Sequence, residues 1–191
     1  MVILYVLCCV LATGLIINMA VTSKLSGAVS ALRKDLDHSY AEQLATPHLL
    51  GSTVAHFMTH STQGAPIDST ALSEEFVVGF FMIGCPPCKT SLPLFVDVCK
   101  RIRTDGTQIV SVIRYESGEL DDEARAEELR KLTSRLEECS HVVTEDGDQE
   151  VISAFGATAF PAFYRVQNRQ DGLYIATEAP TAMHLSALER V

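Results

Sequence analysis

Two of the six cysteines in this 191-residue chain are spaced for chemistry: Cys85 and Cys88 bracket the tetrapeptide Cys85-Pro86-Pro87-Cys88. Such a pair can supply half of a tetrahedral zinc site, or it can cycle between dithiol and disulfide. Zinc needs two further ligands, normally in a second close pair. Cys99 and Cys139 stand far apart in sequence, and His38, His48, His56, His60, His141 and His184 show no ligand spacing. Redox chemistry explains the placement directly. The apolar run 76–83 reads as a buried strand, and a helix follows from about Pro87 to Arg103. Cys85 then sits at a helix N-terminus, where unpaired backbone N–H groups and the positive end of the dipole favour thiolate over thiol. Two intervening residues let Cys88 reach back and close the ring. Cys85 is thus the exposed attacking thiol and Cys88 the resolving one. Pro87 fits the first helical turn, where a missing N–H costs nothing.

A second clue is Phe160-Pro161, immediately before the apolar strand 162–166. Proline removes a donor from a sheet ladder and needs a reason to be there. An X-Pro bond is mostly trans when taken alone. Beside a CxxC pair, a cis bond at Pro161 would bring the Phe160 backbone near the cysteines, where it could pair with an extended peptide.

The elements that must position these residues follow from pattern. After the strand 76–83 and its helix come a β-rich run at 108–114, a charged helix at 119–137, a short strand at 141–144 and a short helix at 149–155. Strands at 162–166 and 173–177 pair across the polar turn 167–172, and a last helix covers 181–189. The order β-α-β-α-β-α-β-β-α describes an α/β fold, a mixed central sheet with helices on both faces. A small hairpin is expected over 52–59. The acidic stretch 119–128 reads as a solvated helix face.

With these residues in place, the chain resembles the thioredoxin-like superfamily. Within it, the resemblance is to the membrane-tethered thiol–disulfide oxidoreductases that include TlpA, ResA and the methylamine-utilisation protein MauD. It runs over roughly residues 51–191 and rests on Cys-Pro-Pro-Cys, the helix proline Pro93, and Pro161 at the family's cis-proline position. It implies a nucleophilic Cys85, a resolving Cys88 and a cis Pro161, with Phe160, Gly84, Pro86 and Pro87 against the substrate. Protein thiols or disulfides are the implied substrates, and a CcdA- or DsbD-like membrane protein the implied electron donor. An apocytochrome or the small subunit of an amine dehydrogenase is the implied client. Several positions depart from the pattern. Gly84 stands where Trp is usual, Gly79 where many thioredoxins bury an acid, Ser91 where many TlpA- and ResA-like proteins have Glu, and Phe160 where Thr is common. These departures favour a specialised partner and bring the chain closer to the MauD-like members. A peroxidase would want Thr or Ser shortly before Cys85, and Met82 and Ile83 occupy those places.

Residues 2–21 carry no charged side chain. Twenty residues at about 1.5 Å each match a hydrocarbon core of about 30 Å, so this stretch is expected to cross a lipid bilayer once. A cleaved secretory signal would want a basic start, and only Met1 precedes the run. The expected organisation is an anchor at 1–22, an amphipathic stem at 23–48 and the thioredoxin-like domain at 49–191. Lys24, Arg33 and Lys34 after the anchor argue for a cytoplasmic domain. Disulfide chemistry and the resemblance argue for an extracytoplasmic one. The net charge of −9, with fifteen Lys and Arg against twenty-four Asp and Glu, speaks against nucleic acid as a partner. No metal, haem or nucleotide motif is present, so no cofactor is expected. Cys8, Cys9 and Cys99 read as small hydrophobes, and Cys139 as more exposed. A bridge between Cys99 and Cys139 is one alternative for that pair.

Overall fold

The computed structural model describes Met19 and residues 48–189, apart from 120, 121 and 148. The expected anchor apart from Met19, and the stem apart from His48, lie outside the described residues. Among those described, no helix is long and apolar enough to cross a membrane. The architecture below belongs to the unit running from Ala45 to Val191.

In chain order the strands are β1 (Thr53–Val54), β2 (Met58–His60), β3 (Pro66–Asp68), β4 (Glu75–Met82), β5 (Gln108–Tyr115), β6 (His141–Asp146), β7 (Ala162–Arg169) and β8 (Gly172–Ala179). The helices are α1 (Pro86–Arg103), α2 (Glu123–Glu137) and α3 (Glu150–Phe155). Six strands form one mixed sheet in the order β1-β8-β7-β4-β5-β6. Strands β4, β5 and β6 run parallel, joined through α1 and α2, while β7, β8 and β1 add antiparallel on the other flank.

Beyond Glu75 the central strand β4 is apolar, because both of its faces are covered. Its side chains alternate between two cores. Val77 and Phe81 join Phe95, Cys99 and Ile102 of α1, Leu132 and Leu136 of α2, and Leu185 and Leu188 near the C-terminus. Phe76, Val78 and Phe80 join Val151, Ile152 and Phe155 of α3 on the opposite face. The start of α3 has no side-chain cap of its own. The buried Glu145 of β6 serves instead, accepting the Val151 and Ile152 N–H groups at 2.8 and 2.9 Å.

Four local expectations need correction. No hairpin forms over 52–59: β1 pairs with β8, and β2 pairs with β3 in a separate two-stranded sheet. Thr62, in the turn of that hairpin, donates its N–H to the Val142 carbonyl on β6 at 2.8 Å. The charged helix begins at Glu123, where the Asp122 side chain caps it, after a separate 3-10 turn at Ser117–Glu119. The last element is a 3-10 helix, Ala182–Leu188, tied down by Leu185 and Leu188. Cys139 is buried at 1% exposure, because the turn after α2 tucks it under α1.

Candidate active site

The chain leaves β4 through Ile83 and Gly84, and Gly84 takes φ +72°, a left-handed conformation that favours glycine. Cys85 is then the N-cap of α1, with extended backbone at φ −90° and ψ 108°. A helix start leaves its first N–H groups without intrahelical partners. Here the first two positions are Pro86 and Pro87, which have no N–H to satisfy. The first free donor belongs to Cys88, and it points at Cys85 Sγ from 3.2 Å. The two prolines therefore leave the sulfur as the acceptor for the helix's leading N–H.

The two sulfurs form a disulfide with Cα atoms 5.3 Å apart. Both cysteines are buried, where Cys85 was expected to be exposed: it retains 5% and Cys88 1%, so Cys85 is the more open of the two. Across from them, the Phe160–Pro161 peptide is cis, and the Phe160 carbonyl oxygen stands 3.5 Å from Cys85 Sγ. Pro161 is buried, Phe160 and Pro87 are half-buried, and Pro86 is exposed. The site residues expected from sequence thus converge at one place: Cys85, Cys88, Gly84, Pro86, Pro87, Phe160 and Pro161.

Three further side chains stand there, Lys89, Arg125 and Glu128, the last two from the stretch read in sequence as a solvated helix face. A Cβ on Gly84 would fall 1.7 Å from Arg125 Nη1, so the guanidinium fills the space a side chain would take. Gly84 N–H donates to Glu128 Oε1 at 2.8 Å, and Glu128 Oε2 lies 3.1 Å from Lys89 Nζ. Burial opposes the charge on Glu128. The Gly84 N–H, Lys89 and Arg125 outweigh that and hold its carboxyl below the usual range. The signal for this cluster was topological. In parallel strands the segments after β4 and after β5 emerge at the same end of the sheet, and Arg125 and Glu128 share a helix face at i, i+3.

The departures also acquire reasons. A Cβ at Gly79 would lie 2.6 Å from Phe95 Cζ and 3.3 Å from Phe163 Cδ1, so aromatic rings occupy the place of a buried acid. Ser91 is buried, and its hydroxyl donates to the Pro87 carbonyl at 2.6 Å, closing the first turn of α1. Among the described residues, no group of three His, Cys, Asp or Glu side chains could hold a metal ion.

No family model matches the chain, and no curated protein does. Solved structures do match. One is a secreted Mycobacterium tuberculosis disulfide oxidoreductase homologous to E. coli DsbE, with 18% identity over 69% of this chain and 92% of that one, TM-score 0.50. A thiol:disulfide interchange protein from Bacteroides sp. shows 16% identity over 72% and 87%, TM-score 0.52. StoA from Bacillus subtilis shows 17% identity over 70% and 96%, TM-score 0.52. At these identities the likeness defines the fold. The chain has the thioredoxin-like fold, with a close cysteine pair at the N-terminus of the first helix after the central strand.

Proposed function

We propose that the protein is a thiol–disulfide oxidoreductase acting on protein thiols or disulfides beside a membrane. One observation carries this reading: Cys85 Sγ takes the leading N–H of α1 while facing the Phe160 carbonyl next to a cis proline. That arrangement stabilises a thiolate and offers backbone to an extended client at the same point.

In the reducing direction, the Cys85 thiolate attacks one sulfur of a client disulfide. A Cys85–client bond forms, the client bond breaks, and the departing client sulfur takes up a proton. Cys88, losing its own proton, attacks Cys85; the mixed disulfide breaks and the client leaves as a dithiol. Two electrons have passed to the client, and the protein holds the Cys85–Cys88 disulfide. The same steps reversed oxidise a client. Pro161 keeps the Phe160 backbone beside the attacking sulfur, and Gly84, Pro86 and Pro87 flank the path of the client chain. A reductase of this kind is recharged by a membrane dithiol protein of the CcdA or DsbD type. An anchor at residues 2–21 holds the domain near it, outside the cytoplasm. An apocytochrome or an amine dehydrogenase subunit is the client this reading favours.

The test is the reduction potential of the Cys85–Cys88 couple in the full chain, read by thiol trapping in glutathione or dithiothreitol buffers. A value near about −120 mV marks a disulfide donor, and one below about −230 mV a reductase. Cys85→Ser is expected to abolish turnover of a disulfide substrate, and Cys88→Ser to accumulate the mixed disulfide. A pair that never cycles, or a Cys85→Ser variant that still supports its client, leaves a docking factor without redox chemistry.

A further inference from the structure

Two cysteines outside this site meet in the core. Cys99 lies on α1, and Cys139 follows α2 in the turn into β6. Both are free, with exposures of 0% and 1%, and both belong to the same apolar cluster. Each thiol shifts the titration of the other, as groups close together in an apolar core do. The turn is clamped to α1 at the preceding residue. Lys100 Nζ lies 3.0 Å from Glu138 Oε2, and Arg103 Nη1 donates to the Glu138 carbonyl at 3.1 Å. The Cys139 thiol also donates to the Leu136 carbonyl at 3.5 Å. These contacts hold the turn that carries Cys139 against the stretch of α1 that carries Cys99. They also separate the roles of the two. Burial pushes the Cys99 thiol up, while its interaction with Cys99 holds Cys139 below the usual thiol value against burial, helped by the charges of Lys100 and Arg103. Cys88 and Cys99 stand three helical turns apart on α1, about 16 Å, so this pair does not exchange directly with Cys85–Cys88.

We propose that Cys99 and Cys139 form a second, occluded dithiol that a small hydroperoxide closes into a disulfide joining α1 to the turn between α2 and β6. The Cys139 thiolate attacks a peroxide oxygen: an S–O bond forms, the O–O bond breaks, and hydroxide leaves. That hydroxide takes the Cys99 proton and becomes water. The Cys99 thiolate then attacks the Cys139 sulfenic sulfur, forming S–S and breaking S–O. The second hydroxide takes up the proton that Cys139 had released, giving a second water. Two thiols lose two electrons and two protons to one peroxide. A peroxide is hardly larger than water and enters through small local openings. Oxidised glutathione is far larger and needs a wider opening of the clamped turn to reach either sulfur.

The experiment uses the full chain in detergent, fully reduced and then exposed separately to hydrogen peroxide and to oxidised glutathione. Free thiols are alkylated and the protein is digested with trypsin, which places Cys99 in peptide 90–100 and Cys139 in peptide 136–165. Peroxide is expected to yield the two peptides joined by a disulfide. Glutathione is expected to leave both alkylatable at times when Cys85–Cys88 has closed, a difference in rate of roughly tenfold or more. In Cys99→Ser, Cys139 is expected to be trapped by dimedone as the sulfenic acid. Peroxide that leaves both thiols alkylatable, or that drives Cys139 to the sulfinic acid in the unsubstituted chain, overturns the proposal, as does glutathione closing both pairs at equal rates. The unsubstituted chain decides the matter whether or not Cys99→Ser folds. The outcome is also separate from that at Cys85–Cys88, because each pair is read on its own peptides.

Discussion

Gly84 and Arg125 share one space beside Cys85, and neither tolerates a side chain on the other's ground. Gly84→Ala adds a Cβ at φ +72° and meets the Arg125 guanidinium. The guanidinium can swing aside, but the left-handed backbone cannot relax as easily. A loss of about 1–2 kcal/mol is expected in urea unfolding. Glu128 makes a pH prediction at the same scale. A carboxyl held below its unfolded value stabilises the protein above that value, about 4.3, and loses the contribution as pH falls through the folded value. Unfolding of the unsubstituted protein and of Glu128→Gln, compared across the acid range, should therefore show a difference that is full near neutrality. The difference should shrink once the pH drops below about 4.3. A constant difference at all pH values would mean that Glu128 acts through packing alone.

At the scale of elements, β4 and α1 meet where Gly79 lets Phe95 stack on Phe163, ring centroids 4.9 Å apart. Phe81 packs edge-on to both rings. Gly79→Ala forces this trio apart and is expected to destabilise by about 1–3 kcal/mol in denaturant melts. Gly79→Asp should do worse without creating a proton acceptor at Cys88, because the rings bar the carboxylate from a hydrogen-bonding partner. Strand β4 and helix α1 were legible in sequence: a strand buried on both faces is a continuous apolar run, and a CxxC with prolines marks a helix start. The charged face of α2 was not. Arg125 and Glu128 have the composition of a solvated helix, and only the end of the sheet at which α2 begins brings them to the dithiol.

For the whole molecule, Arg165 fastens the C-terminal segment to the sheet. Its Nε donates to Glu75 Oε2 at 3.1 Å, and its Nη1 donates to the Leu188 carbonyl. Its side chain is only 7% exposed, so Arg165→Ala removes one half of a largely buried pair. A cost of about 3 kcal/mol is expected, read as a lowered urea midpoint with an unchanged slope. The segment's fixing was hidden in sequence, since the apolar spacing of Leu185 and Leu188 suits an α-helix as well as the 3-10 helix observed. The pairing of β1 was hidden for a different reason. Its two residues carry no period, and their register comes from β8, distant in sequence.

The hairpin of β2 and β3, found in place of the one expected over 52–59, has a consequence at this scale. Strand β6 is the last of the sheet, and a bare terminal strand presents a row of unpaired amide groups to any passing chain. Thr62 occupies one of those positions on β6, at the Val142 carbonyl, and Thr62 Oγ1 is fastened in turn to Glu137 Oε1 at 2.7 Å. The little hairpin is thus a guard rail: it stops the sheet from growing by strand addition between molecules. At the other end, β1 covers β8 with a two-residue strand too short to recruit a neighbour in its place. The proposed docking of an extended client beside Phe160 would require the margins of the sheet to refuse such chains.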